Sequence, residues 1–228
     1  MFDFNFKNNE LLKQALLHRS YLNEHPEIKL DHNERLEFLG DAVLELVVTD
    51  YLYHKYPNRD EGELTAYRAA LVNAETLGSV AAELGVNDHL LLSRGEAKDN
   101  GRARQVILAN TFEAIVGAMY LDQGYAAAQI FIGKYLLPLT DEIVAKKLWV
   151  DAKSYFQEQA QELRDITPTY KVLSELGPDH DKVFTVGLYL GSELVAKGQG
   201  PSKQRAEQEA ARAGLAANGW DLQNERHT

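Results

Sequence analysis

The spacing of apolar residues along this chain changes once, near residue 149, and this change limits the folds that the chain can adopt. Before it, apolar residues recur at helical spacing in segments separated by turn residues, which predicts an all-α domain. After it, one helical stretch precedes three short strand-like segments, of which the middle one alternates, and a last helix, which predicts an α+β domain of order α-β-β-β-α. We therefore expect two domains, over residues 1–148 and 151–222, joined by a short linker.

Capping and turn residues set the boundaries of the predicted elements. Asp31 and Glu34 have the spacing of a capping box, so the longest helix is predicted to begin near Asp31. Ser202 is the predicted N-cap of the last helix. Small residues on that helix are predicted to face the sheet: Ala206, Ala210, Ala213 and Ala217. The predicted helices before it span residues 9–18, 31–54, 62–84, 104–122, 125–146 and 151–164, and the predicted strands span Thr169–Leu176, Val183–Leu190 and 193–197.

The composition excludes several classes of site. The chain has no cysteine among its 228 residues, which excludes disulfides, zinc sites built on thiolates and cysteine nucleophiles. Its seven histidines form no HExxH pair, and it has no phosphate-binding loop of the GxxxxGK type. Any metal must therefore be bound by oxygen or imidazole ligands.

The net charge of −10 argues against a broad basic surface for nucleic acids, so any such contact must come from locally placed cations. No apolar run approaches the ~18 residues of a membrane span, and the first residues do not resemble a signal peptide. We therefore expect a cytoplasmic protein that does not enter a membrane.

Four carboxylates lie in one stripe of the longest predicted helix, at spacings of three, four and four residues: Glu34, Glu37, Asp41 and Glu45. Apolar residues cover much of the remaining circumference, which predicts that this helix is largely buried. Carboxylates one turn apart repel one another, and desolvation of each one costs more unless a cation or a hydrogen-bond donor compensates. The stripe therefore indicates a site that binds positive charge.

A second predicted helix also carries oxygen-bearing side chains on a largely apolar surface. Asn110 and Glu113 are the only strongly polar side chains between residues 109 and 121, and they lie three residues apart on one face. Two buried helices that each present a pair of oxygen ligands could meet around a hard divalent cation such as Mg²⁺ or Mn²⁺. In the alternative, Arg35, Arg68 or Arg104 pairs with these acids, and their role is structural.

Several segments occur in an order shared with a known family. In the first domain they are residues 15–20 (ALLHRS), 32–41 (HNERLEFLGD), 60–62 (DEG) and 107–114 (ILANTFEA). The second domain resembles a double-stranded-RNA-binding domain in residues 156–158 (FQE), 177–180 (GPDH), 198–203 (GQGPSK) and 206–207 (AE). The whole chain thus resembles bacterial ribonuclease III, in which a helical endonuclease domain precedes a double-stranded-RNA-binding domain.

The resemblance implies a Mg²⁺ site, in which Mn²⁺ can substitute, on the acids singled out above. Glu37, Asp41 and Glu113 match the metal-binding acids of the family, and Asp41 and Glu113 are the implied catalytic residues. Glu61 matches an acid linked to a second metal. Asn110 stands where the family usually has Asp, so it would bind metal through an amide oxygen without adding negative charge.

The resemblance also implies RNA-binding residues in the second domain. Lys203 falls in the first turn of the last helix, where free N–H groups and the helix dipole favour phosphate. Ser202 precedes it, and Gln204 stands where the family often has Lys. Gln157 and His180 match positions that reach the minor groove. Recognition of this kind follows the A-form shape and the 2′-hydroxyl groups of the duplex.

The implied activity is Mg²⁺-dependent hydrolysis of phosphodiester bonds in both strands of double-stranded RNA, with water as the nucleophile. The family further implies a homodimer through the helical domain and a role in processing ribosomal and other RNA. The alternative is a homodimer that binds double-stranded RNA without cutting it, because Asn110 replaces a carboxylate of the site. Mg²⁺-dependent cleavage of a long duplex separates these two functions.

Overall fold

The computed structural model describes residues 5–98, 101–178 and 182–220, and the chain divides between Trp149 and Val150 into two compact units. The α-helices described in the first unit are α1 (Asn9–Ala15), α2 (Arg19–Glu24), α3 (Glu34–Lys55), α4 (Glu61–Leu71), α5 (Ala74–Glu83), α6 (Arg102–Gln123), α7 (Tyr125–Tyr135) and α8 (Thr140–Ala145). The second unit contains α9 (Ala152–Arg164), β1 (Thr169–Leu176), β2 (Val183–Leu190), β3 (Glu193–Gly200) and α10 (Lys203–Asn218). The predicted fold classes, all-α followed by α-β-β-β-α, are therefore confirmed.

The first unit is organised around the crossing of α3 and α6, which are each 22 residues long. A β-carbon added to Gly40 would lie 1.8 Å from the carbonyl oxygen of Glu113, and one added to Gly117 would lie 2.2 Å from that of Leu36. The two backbones therefore touch, because neither glycine has a side chain to separate them. Large side chains from both helices are buried in this core: Leu44, Val48, Phe112, Ile115 and Met119.

Helix α3 begins later than predicted and is buried on one side only. It begins at Glu34 and is not capped by Asp31; Asn33 precedes it, and the buried Asn33 side chain donates a hydrogen bond to the backbone of α1. Phe38 and Leu46 are 82% and 58% exposed. The prediction of a largely buried helix is therefore wrong, since one side packs against α6 and the opposite side carries exposed apolar residues.

Two predicted helices are each interrupted. The predicted helix 62–84 is broken at Asn73, whose side chain caps α5 by accepting a hydrogen bond from the Thr76 N–H at 2.9 Å. The predicted helix 125–146 is interrupted by a 3₁₀ turn at Leu137–Leu139, because Pro138 lacks the N–H that a continuing helix needs. None of the helices within the described residues is long and apolar enough to cross a membrane.

The second unit is an antiparallel sheet of order β1-β2-β3 that packs against α9 and α10. Strands β1 and β2 have the predicted boundaries, and β3 continues to Gly200, beyond the predicted residue 197. Phe156 of α9, Leu188 of β2 and Leu215 of α10 are buried together in the core of this unit. The core therefore fixes both helices against the sheet.

The predicted small-residue face of α10 is correct only in its first half. Ala206 and Ala210 are buried, whereas Ala213 and Ala217 are exposed. Leu215 is buried instead. The helix is turned so that its one leucine enters the core, because burying a leucine side chain contributes more free energy than burying an alanine.

Candidate active site and RNA-binding surface

The crossing of α3 and α6 brings together four of the predicted metal ligands. Glu37 and Asp41 lie on either side of Gly40 in the sequence of α3, and the carbonyl oxygen of Glu113 on α6 lies where a β-carbon added to Gly40 would be. Asn110 lies one turn before Glu113 on the same helix. The side chains of Glu37, Asn110 and Glu113 are partly buried, and Asp41 is exposed. The predicted meeting of the two polar pairs thus follows from the close contact of two backbones.

Glu113 has the most perturbed carboxyl group of this cluster. Burial, followed by the charges of Asp41, Glu37 and Glu45, raises the pKa of Glu113 from its ordinary value of 4.5 to about 7. Each of these causes disfavours the ionised form of the carboxyl group. A cation placed among the carboxylates would reverse the effect, so Glu113 is a group whose ionisation favours metal binding.

The amide side chain of Asn110 affects the pKa of Glu37. Burial raises the pKa of Glu37, and the charges of Glu34 and Asp41 act in the same direction. A hydrogen bond with the Asn110 side chain opposes this rise. An amide at this position therefore stabilises the Glu37 carboxylate, whereas a carboxylate there would add repulsion in the absence of metal.

Arginines neutralise the two ends of the carboxylate stripe but not its centre. Arg68 Nε lies 3.0 Å from Glu45 Oε2, and Arg19 Nη1 lies 3.5 Å from Glu34 Oε1. The buried Arg104 donates a hydrogen bond to a backbone carbonyl eight residues earlier, at 3.0 Å. In the part of the chain that the structure describes, no ion pair joins a lysine or an arginine to the central acids. Among the described residues, Arg68 is the arginine of the structural alternative that pairs with the stripe, so this alternative accounts for Glu45 and not for the central acids.

The donor chemistry at the centre of the stripe suits a hard divalent cation. Glu37, Asp41 and Glu113 offer carboxylate oxygens and Asn110 offers an amide oxygen, which are ligands that Mg²⁺ and Mn²⁺ favour. Within residues 5–98, 101–178 and 182–220, no group of three or more aspartate, glutamate or histidine side chains is arranged so that it could hold a metal ion by itself.

Glu61 is not brought into this cluster. It is the exposed first residue of α4, next to Asp60, whose side chain accepts a hydrogen bond from the Glu63 N–H at 2.8 Å and completes a capping box. The charges that shift the pKa of Glu37 and Glu113 come from α3 and not from Glu61. Within one chain, the acid expected at a second metal is therefore separate from the other predicted ligands.

The start of α10 presents predicted RNA-binding residues to solvent. Ser202 is the N-cap, and its hydroxyl accepts a hydrogen bond from a backbone N–H of the first turn at 3.2 Å. Lys203 and Gln204 are exposed in that turn, and Gln157 is exposed on α9. His180 lies outside the described residues.

The sequence did not indicate the neighbours of Lys203. Its Nζ lies 3.1 Å from Oε1 of Glu175, on β1, and 5.6 Å from the ring centroid of Phe184, on β2. Both partners are more than fifteen residues away in the chain. Only the register of the strands brings them to the start of α10, and no local spacing in the sequence signals it.

Comparisons with known proteins cover both units. A family model described as Ribonuclease-III-like matches residues 8–139, and one described as a double-stranded RNA binding motif matches residues 152–217. Ribonuclease 3 of Borreliella afzelii is 45% identical over 212 residues, which cover 93% of this chain and 86% of that protein. Ribonuclease 3 of Enterococcus faecalis is 45% identical over 210 residues, which cover 92% of this chain and 91% of that protein.

A solved structure resembles the helical unit. It is the nuclease domain of ribonuclease III from Campylobacter jejuni, described for flexibility in a region involved in dimer formation, and it is 40% identical with a TM-score of 0.53. The match covers 59% of this chain and 92% of that domain. The two units thus match two separate families in the order that the sequence motifs predicted. This chain belongs to the ribonuclease III family of double-stranded-RNA-specific endoribonucleases.

Proposed function

We propose that this chain hydrolyses phosphodiester bonds in both strands of double-stranded RNA, with Mg²⁺ bound at the crossing of α3 and α6 and with Mn²⁺ able to replace it. The observation that carries the proposal is the cluster of Glu37, Asp41 and Glu113, for which the described residues supply no lysine or arginine ion pair. Repulsion among acids so placed costs free energy when no cationic side chain lies among them, and a bound cation would offset that cost. The expected substrates are ribosomal and other RNA precursors with duplex segments, in the cytoplasm.

The chain's own groups would position the cation and admit the substrate. When bound, Mg²⁺ supplies a water molecule of lowered pKa and positive charge for the phosphate and the leaving oxygen. Glu37, Asp41 and Glu113 would hold it through carboxylate oxygens, directly or through water, and Asn110 through its amide oxygen. Partial burial limits the screening of Glu113 by solvent, while the exposed Asp41 leaves the cluster open to an RNA backbone. Without a cation, these carboxylates would repel the phosphate, so a chelator should stop cleavage.

The variant Asn110→Asp is expected to lower the Mg²⁺ concentration that gives half-maximal cleavage by about tenfold. A fourth carboxylate attracts a hard cation more strongly than an amide does. The measurement is a Mg²⁺ titration of the cleavage of a long RNA duplex by the unmodified chain and by the variant. Asn58→Asp, which adds the same charge at an exposed turn, should leave the titration unchanged.

The same titration separates the enzyme from its alternative. Cleavage by the unmodified chain supports a site that tolerates Asn110, whereas cleavage by Asn110→Asp alone means that the amide inactivates the site. If neither protein cuts in Mg²⁺ or Mn²⁺ although both bind the duplex, the chain is a binding module and the catalytic proposal is wrong.

The second unit supplies most of the affinity for the duplex in this proposal. Free N–H groups at the start of α10 and the Lys203 ammonium can hold a phosphate even though the net charge is −10. Ser202 and Gln204 extend this contact, while Gln157 and His180 would reach the minor groove. Because such contacts read A-form shape, the targets are defined by their duplex structure more than by their sequence.

We also propose that the chain forms a homodimer through its helical unit. Exposed apolar side chains on α3 support this homodimer, since Phe38 is 82% exposed and Leu46 is 58% exposed on the helix that carries the acids. Large apolar side chains that share an exposed helix face favour burial against a partner. The related nuclease domain from Campylobacter jejuni is described as having a region involved in dimer formation.

The variant Phe38→Glu is expected to weaken this dimer by at least about 100-fold, because burying two phenylalanine rings contributes about 1.5–3 kcal/mol each. Analytical ultracentrifugation over a range of concentrations measures the effect. The matched control is Leu163→Glu, which changes a side chain of α9 that is 57% exposed. A monomeric unmodified chain, or a dimer that persists in Phe38→Glu, would contradict the assignment of this face.

A further inference from the structure

The ammonium of Lys203 has a carboxylate partner within its own unit. Glu175 is the cross-strand partner of Phe184, and Phe184 is in turn paired with Gly200, three residues before Lys203. This row across the sheet brings Glu175 Oε1 to 3.1 Å from Lys203 Nζ, above the Phe184 ring. The backbone register, rather than one flexible side chain, therefore places the carboxylate beside the lysine.

The connection from β3 into α10 leaves little freedom at this point. A β-carbon on Gly200 would lie 2.9 Å from the Ala206 nitrogen and 3.0 Å from Arg205 Cβ, so the end of the strand packs directly on the first turn of α10. Ser202 caps the same turn. The backbone of Lys203 is thus held at a fixed distance from β1 within this unit.

We propose that Glu175 competes with RNA phosphate for Lys203 and thereby limits the affinity of the chain for double-stranded RNA, an inference that rests on the proposed contact between Lys203 and RNA. A lysine ammonium is a compact charge, and a carboxylate beside it both offsets that charge and repels an incoming phosphate. The side chains of Lys203 and Glu175 are 57% and 40% exposed, so a phosphate can reach the ammonium. An ion pair so exposed contributes little to stability, and the fold does not depend on it.

The variant Glu175→Gln is expected to bind duplex RNA about three- to fivefold more tightly at moderate salt, which is the range that an exposed ion pair can supply. The slope of log Kd against log salt should steepen by up to about one, because Lys203 then neutralises a phosphate in full. The Kd of the full chain is measured for an RNA duplex of ~30 base pairs, in EDTA so that no cleavage occurs, at several salt concentrations.

Two further variants isolate the competition. Glu175→Gln should give no tightening when Lys203→Ala is also present, since the carboxylate then has no lysine to occupy. Glu193→Gln removes the same charge at the exposed start of β3, the end of the strand remote from Lys203, and should leave the affinity nearly unchanged. Tightening confined to Glu175→Gln with Lys203 intact supports the proposal.

If Lys203→Ala by itself weakens binding, then unchanged or weaker binding by Glu175→Gln contradicts the proposed competition. The lysine would then contact RNA without interference from Glu175. Tightening of the same size in the Lys203→Ala background also overturns it, since the effect would then be one of general charge. A different failure is recognised when Lys203→Ala alters neither the affinity nor its salt dependence. In that case the proposed RNA contact of Lys203 is itself wrong.

Discussion

Glu113→Gln is expected to lose Mg²⁺-dependent cleavage of double-stranded RNA, with a rate at least about 100-fold lower at low-millimolar Mg²⁺. The substitution removes the most perturbed carboxylate from a cluster that already has an amide at Asn110. Affinity for the duplex should stay nearly unchanged, because α9 and α10 belong to the other unit. Cleavage rate and Kd are measured separately, with Glu83→Gln as a control that removes an exposed carboxylate of α5. Cleavage by Glu113→Gln close to that of the unmodified chain would exclude Glu113 from the site.

The same variant should not lose stability, which separates a catalytic defect from a folding defect. The pKa of Glu113 is about 7 in the folded chain, against an ordinary value of 4.5. Between these values the folded state binds more protons than the unfolded chain, so the free energy of unfolding falls as pH rises through this window. Glutamine does not titrate, so Glu113→Gln does not lose this stability. In EDTA, the Tm of the variant minus the Tm of the unmodified chain should therefore be larger at about pH 8 than at about pH 4.5. An equal Tm difference at both pH values would mean that burial does not perturb this carboxyl group.

Gly40→Ala is expected to destabilise the helical unit by about 3 kcal/mol or more, which lowers Tm by roughly 6–12 °C. The added β-carbon would lie 1.8 Å from the Glu113 carbonyl oxygen, so α3 and α6 must separate. The loss should exceed the gain in helix propensity that alanine brings over glycine. Thermal unfolding followed by circular dichroism measures the change.

Gly133→Ala provides a matched control with an effect of opposite sign. Gly133 lies inside α7, and a β-carbon there would have no neighbour within 4 Å. Alanine favours the helix at such a position by about 0.5–1 kcal/mol, so Tm should rise slightly. If Gly40→Ala were as stable as Gly133→Ala, the two backbones would not be in contact at Gly40, and the account of how the acids are brought together would be wrong.

Local patterns predicted most of the second unit because its strands are short and apolar residues alternate along the middle strand. Phe184, Val186, Leu188 and Leu190 alternate along β2, which predicted the boundaries of that strand, and Leu188 and Leu190 lie in the core. The helices were harder to divide. Asn73 interrupts an otherwise continuous apolar pattern by using its own side chain as a cap, and the apolar spacing continues on both sides of the break. Periodicity alone therefore joined two helices into one.

The sequence also indicated the acids of the site but not their environment. The spacing of Glu37 and Asp41 placed them on one face of α3, and their distance from Glu113 then depended on a contact between helices that are about seventy residues apart in the chain. Packing likewise decides which of the three candidate arginines pairs with the carboxylate stripe. In the structure, Arg68 pairs with Glu45. Tertiary contacts of this kind have no local signal, and the carboxylate opposite Lys203 is a further example.

The most direct test of the central claim is a cleavage assay on the unmodified chain with a long, fully paired RNA duplex, in Mg²⁺ and in EDTA. We expect cuts in both strands in Mg²⁺, no cuts in EDTA, and recovery of cleavage when Mn²⁺ replaces Mg²⁺. Binding of the duplex without cleavage in either metal, by a chain whose Tm shows that it is folded, would contradict the claim that Glu37, Asp41 and Glu113 form a working metal site.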